Sequence, residues 1–118
     1  SARPSCAGCD NERMEGSEIY THAEWRVRPG EEAGFVAAWE SLAAIFSQLP
    51  HPPQWGTLLR STVDPSLFYS FGPWRSAADV GAMRTDPAVQ APFASLQSLC
   101  EAMRPGTYER VRHVVVEP

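Results

Sequence analysis

The sequence contains no lysine. Its ten basic residues are all arginine, set against fourteen acids, for a formal charge of -4. No stretch forms a cationic stripe that would follow a phosphate backbone, and the acidic excess lies in the first half, so nucleic acid is not an expected partner. Long apolar runs are missing as well. None approaches the roughly 18 residues that span a bilayer, and the first residues lack the apolar stretch of a secretory leader. No membrane partner is expected, and the expected location is the cytoplasm. Cysteine is scarce. Cys6, Cys9 and Cys100 cannot all pair within one chain, which fits a reduced protein rather than a disulfide scaffold. No glycine-rich phosphate loop, HExxH or GxSxG occurs, which removes the common phosphate-binding, zinc-protease and serine-hydrolase signatures.

What is present suits one globular domain: 118 residues and 13.0 kDa, 43% hydrophobic and 20% charged. Residues 1–18 are polar, without aliphatic periodicity, and read as an N-terminal tail in front of a domain over residues 19–118. Met14 within that tail is a possible native start. Residues 19–28 alternate, with Ile19, Thr21, Ala23, Trp25 and Val27 on one side and Tyr20, His22, Glu24, Arg26 and Arg28 on the other. Period two predicts a strand, broken by Pro29-Gly30. Phe35, Trp39, Leu42, Phe46 and Leu49 then mark one face of a helix over 31–49, with Glu31 and Glu32 at its positive end and Pro50, Pro52 and Pro53 beyond it.

Residues 54–63 and 67–74 read as a hairpin around Asp64-Pro65-Ser66. Ser76 and Asp79 have capping-box spacing and predict a short helix to about Arg84. Asp86-Pro87 starts a longer one, whose apolar face is Val89, Phe93, Leu96, Cys100 and Met103. Pro92 kinks that helix or lies near its start, and Pro105-Gly106 stops it. Residues 108–116, YERVRHVVV, predict the last strand. The order is strand, helix, strand, strand, helix, strand. That is the ferredoxin-like α+β pattern, a four-stranded antiparallel sheet with helices on one face. The third strand offers Leu67, Tyr69 and Phe71 on one side and Phe68 and Trp74 on the other, so whichever face the helices leave open would expose aromatic surface. A second copy of the chain is expected to cover it.

The order of elements and the stretch LLRSTVDPSLFYSFGPWRSAADVGAMRTDP resemble the antibiotic biosynthesis monooxygenase domain family, small dimeric α+β barrels. The matching features are Pro29-Gly30-Glu31 before a helix holding Trp39, the turn at Asp64-Pro65, the strand end Phe71–Trp74, and Trp74-Arg75-Ser76 leading into a helix. The resemblance spans roughly residues 19–116. It implies a homodimer and a pocket between sheet and helices for a small planar aromatic molecule. Members include cofactor-free oxygenases of polyketide quinols, haem-degrading enzymes, and proteins without a known reaction, so enzyme and non-enzymatic ligand-binding or structural barrel both stand as readings.

On the oxygenase reading neither cofactor nor metal is required. A phenol is deprotonated and gives an electron to dioxygen, and the protein supplies a dry aromatic slot. Trp74 resembles the tryptophan that ends the third strand in such enzymes, and it also reads as an aromatic staple. His22 is the candidate general base. Arg84 is a fixed cation for a phenolate or quinone oxygen. Tyr20, Trp39, Tyr69, Phe71 and Phe93 are the expected ring-binding residues, with Trp39 and Phe93 equally readable as core. His113 has a lesser claim and His51 reads as a loop residue. The haem-degrading branch carries an axial histidine on its second helix, whereas PAVQAPFASLQSLC holds none. Cys100 reads as core rather than an iron ligand. Cys6-Ala-Gly-Cys9 is a lone CxxC without the flanking context of a redox helix or a zinc site; a metal-dependent function of the tail is the remote reading.

Overall fold

A computed structural model of the chain describes residues 19–118. The tail over 1–18, with Cys6, Cys9 and Met14, lies outside the described residues. The alternating residues form β1, Ile19–Val27, and the helical spacing forms α1, Glu32–Phe46. Then follow β2, Thr57–Arg60, and β3, Leu67–Trp74. Two helices come next, α2 at Ala77–Thr85 and α3 at Pro87–Ser98, and β4, Cys100–Glu109, completes the order. All strand pairs are antiparallel and the sheet order is β2-β3-β1-β4. This is the ferredoxin-like α+β fold. β1 is central because it is the most regularly alternating segment, and it pairs along nearly its whole length with both neighbours.

The local signals act as their chemistry requires. Gly30 takes φ +91 in the turn after β1, a left-handed conformation that costs glycine little. Ser76 accepts a hydrogen bond from the Asp79 amide, and Asp86 accepts one from the Ala88 amide with Pro87 in the first helical turn. Asp64 accepts from the Ser66 amide to make the hairpin turn, and it also pairs with Arg26 Nη1 at 2.7 Å. Ser66 Oγ donates to Glu32 at 2.7 Å. One turn thus joins β1, the hairpin and the first turn of α1.

The core lies between the sheet and the helices. Val27, Phe35 and Leu96 are fully enclosed, and Trp25, Leu42, Phe68, Trp74, Val80 and Val89 nearly so. Phe35 is wedged between Trp25 and Phe68, with ring centroids 5.3 and 5.0 Å away. Each such side chain stabilises the fold by about 1.5–3 kcal/mol through burial alone.

Several expectations are corrected. The helix predicted to run to Met103 ends at Ser98, and Pro92 lies inside it rather than at its start. The last strand is therefore Cys100–Glu109, and residues 110–118 carry no regular structure. Pro105-Gly106 is not a helix stop. It sits within β4 opposite Ala23 and His22, and β4 is an edge strand, where proline is tolerated. α1 stops at Phe46, ahead of the prolines, and β2 is four residues long rather than ten. His113 and the valines at 111 and 114–116 consequently belong to an exposed C-terminal segment, not to the sheet.

Candidate functional site

Strand parity decides what each sheet face offers. Thr21, Ala23 and Trp25 of β1, Phe68, Ser70, Gly72 and Trp74 of β3, and Met103 of β4 point towards the helices. Tyr20, His22 and Glu24, with Tyr69, Phe71, Arg104 and Tyr108, lie on the opposite, open face.

Two adjoining cavities lie on the helical side. The larger, about 540 Å³, is walled by Trp25, Trp39, Leu42, Phe46, Met83, Val89, Phe93 and Met103, with Thr21 and Ser70 on its floor and Arg84, Gln90 and Gln97 supplying polar groups. The smaller, about 250 Å³, lies towards the β2 edge against Trp39, Phe46, Trp55, Phe71 and Trp74. It is closed in part by backbone. Any side chain at Gly72 would meet the carbonyl oxygen of Trp55, so the chain can cross there only over glycine.

Two of the indoles are already engaged. Trp25 Nε1 donates to Ser70 Oγ at 2.9 Å, and Trp74 Nε1 donates to Thr21 Oγ1 at 2.9 Å. Trp74 is also held edge-on against Phe46, 5.6 Å between centroids. The Trp39 indole N–H has no acceptor among the described residues. Arg84 carries the one formal charge among the side chains that line the larger cavity, and no acid pairs with it among the described residues. It sits in the last turn of α2, where the carbonyl end favours a cation.

The structure therefore divides the residues that the sequence groups together. Trp39, Phe93 and Arg84 meet at the larger cavity, Trp74 borders the smaller one, and Phe71, whose ring meets Trp55 at the β2 edge, reaches that smaller space from the open-face side. Tyr20, Tyr69 and the ring of His22 are on the other side of the sheet. His22 lies 5.5 Å from Tyr69 and 5.9 Å from Tyr108, centroid to centroid, and reaches the cavity only through its backbone. The Tyr108 ring lies over Gly106, where a Cβ would come within 2.6 Å of it. Tyr20 meets Trp55 edge-on at 6.1 Å. Thr21, Ser70, Gln90 and Gln97 are lining residues that the sequence did not single out. Thr21 shares the parity of Trp25, and the two glutamines stand seven apart on α3, so both signals were present.

Cys100 is buried, and burial pushes its thiol above the ordinary cysteine range, which suits a core residue rather than a thiolate ligand. Among the described residues no three His, Cys, Asp or Glu side chains are grouped to hold a metal ion. No helix there is long and apolar enough to cross a membrane.

No protein-family model and no curated protein matches the sequence. Solved structures do. SnoaB, a cofactor-independent oxygenase from Streptomyces nogalater, is similar with a TM-score of 0.74 and 19% identity over 84% of this chain and 97% of that one. A conserved protein from Methanosarcina mazei Go1 gives a TM-score of 0.73 with 12% identity, covering 83% and 98%. A protein described as an antibiotic biosynthesis monooxygenase gives 0.69 with 13% identity, covering 80% and 99%. At these identities the likeness is one of fold, and the chain carries the fold of the antibiotic biosynthesis monooxygenases.

Proposed function

We propose that this chain is a cofactor-independent monooxygenase-like protein that holds a planar, electron-rich phenol or quinol between sheet and helices. The observation that carries this reading is the larger cavity: about 540 Å³, within the usual range of about 300–1,000 Å³ for ligand sites, aromatic on its walls, with Arg84, which no acid among the described residues pairs with. Trp39 and Phe93 offer ring faces. Arg84 favours the ionised phenol, because a cation beside an apolar site lowers the cost of a phenolate there. Once its proton has passed to solvent water, an anthrone-type substrate gives one electron to dioxygen, and the radical pair combines at the former CH2 carbon, across the ring from the oxygen. One oxygen atom stays as the new carbonyl and the other leaves as water, so the CH2 is oxidised by the dioxygen itself. Thr21 and Ser70, fixed by the two indoles, serve as a rigid floor. Trp74 acts as a staple rather than a participant.

A second reading is a binding protein without turnover. It is favoured by the absence, among the described residues, of an ionisable side chain in the cavity other than Arg84, since His22 turns its ring away. An oxygen electrode separates the two. With anthrones and quinols, with and without added flavin, the expected result is oxygen uptake above the buffer rate and indifferent to flavin. Binding without uptake selects the second reading, and neither binding nor uptake removes both.

A second copy of the chain is the proposed partner, seated on the open face. That face exposes Tyr108 and Leu59 to 56% and 50%. Its middle sets Glu24 beside Arg104, a pair of opposite signs that a twofold-related copy can match.

A further inference from the structure

We infer that Trp39 fixes which ring systems this protein accepts, as the one yielding part of the wall between the two cavities. This rests on the reading of the larger cavity as the site of an aromatic ligand. The cavities share five lining residues, Thr21, Trp39, Leu42, Phe46 and Ser70, so these five are the partition. Four of them are fixed. Thr21 and Ser70 are tied to indoles across the sheet. Leu42 is enclosed in the core, and Phe46 is braced edge-on by Trp74. Trp39 is only half-buried, has no hydrogen bond from its indole N–H among the described residues, and borders Gly56, whose missing side chain leaves room beside the ring.

As built, the smaller space of about 250 Å³ falls below the volume of an ordinary ligand site and works only as an annex. The partition, rather than the volume, therefore sets how far a fused ring system can extend along α1 towards the annex. With Trp39 shortened the two spaces join along α1, and an elongated four-ring system gains room lengthwise. Substrate length is thereby set by a single side chain on α1, apart from the cation on α2 that meets the oxygen.

The test uses 1-naphthol, 2-hydroxyanthracene and 6-hydroxychrysene, with two, three and four fused rings, titrated by fluorescence against the parent chain and Trp39→Leu. The parent is expected to bind the first two and to discriminate against the third. Trp39→Leu is expected to bind 6-hydroxychrysene about tenfold tighter than the parent, while 1-naphthol, which loses a ring face, binds no tighter, so the order of preference shifts towards the longer ring system. Trp39→Phe, a smaller truncation, gives the same direction with a lesser gain and serves where the leucine variant does not fold. An unchanged order of preference in the folded variants overturns the role of Trp39 alone. Failure of the parent to bind any of the three overturns the cavity reading and this inference with it.

Discussion

An indole is both a large apolar plate and a single donor, and the tryptophans of this chain use those two properties differently. Trp25 and Trp74 commit the donor to hydroxyls on the neighbouring strand, so their rings are locked and their role is architectural. Trp39 gives its donor to no acceptor among the described residues, beside the cavities. Sequence position favoured Trp74 for chemistry because it ends a strand and leads into a helix. Nothing in the order of residues says that Thr21, 53 positions earlier, takes up its N–H. Trp74→Phe is accordingly expected to lower the unfolding free energy by about 1–3 kcal/mol, from a lost hydrogen bond and a reduced side chain. Binding of 1-naphthol in the larger cavity should persist, because Trp74 does not line it. Denaturant titration and ligand titration of one preparation check both; unchanged stability with binding lost would restore Trp74 to the site.

Among the elements, the hairpin turn between β2 and β3 holds the most varied set of contacts. Arg26 holds the Asp64 carboxyl below its ordinary range through a direct hydrogen bond, and Ser66 does the same for Glu32. Both carboxyls bind protons less readily folded than unfolded. Their contribution is present above the unfolded values and is lost as the pH falls through the lowered folded ones. The urea midpoint is expected to drop as pH falls below about 4.5, and Asp64→Asn should start lower and flatten that dependence. A variant as acid-sensitive as the parent would show that the turn is not responsible. The turn itself was legible, since Asp-Pro-Ser announces its own hydrogen bonds, and so were both helix caps. β4 was not. The register shifts between Arg26 and Val27, so Cys100 pairs with Val27 while Met103 pairs with Trp25. Two residues three apart thus face one core from a strand, which copies helical spacing. The β-branched run after it reads as a strand for lack of any local sign that no neighbouring strand is there to receive it.

At the scale of the whole molecule, the alternation in β1 and β3 made the sheet and its two faces legible. Sequence alone merged the aromatic residues of both faces into one site, because parity had to be known for every strand at once before Tyr20, His22 and Tyr69 could be separated from Trp39 and Phe93. Once separated, the inner set is the one proposed to hold a ligand and the outer set the one proposed to meet a second copy. Light scattering at micromolar concentration should give about twice the 13.0 kDa chain mass, and Tyr69→Glu, which puts an unpaired charge on the open face, should shift it towards the single chain. A stable single-chain mass for the parent overturns the pairing. The two cavities also differ in how they can change. The larger is bounded by side chains, so its shape is open to revision one substitution at a time. The smaller is sealed where the Trp55 carbonyl rests over Gly72, and no exchange of side chains moves a main-chain carbonyl. New ligand shapes can therefore be reached by point mutation on the α1, α2 and α3 side, while on the β2 side the stretch of wall at Gly72 is main chain and shifts only when residues are inserted or deleted in the loop that carries Trp55.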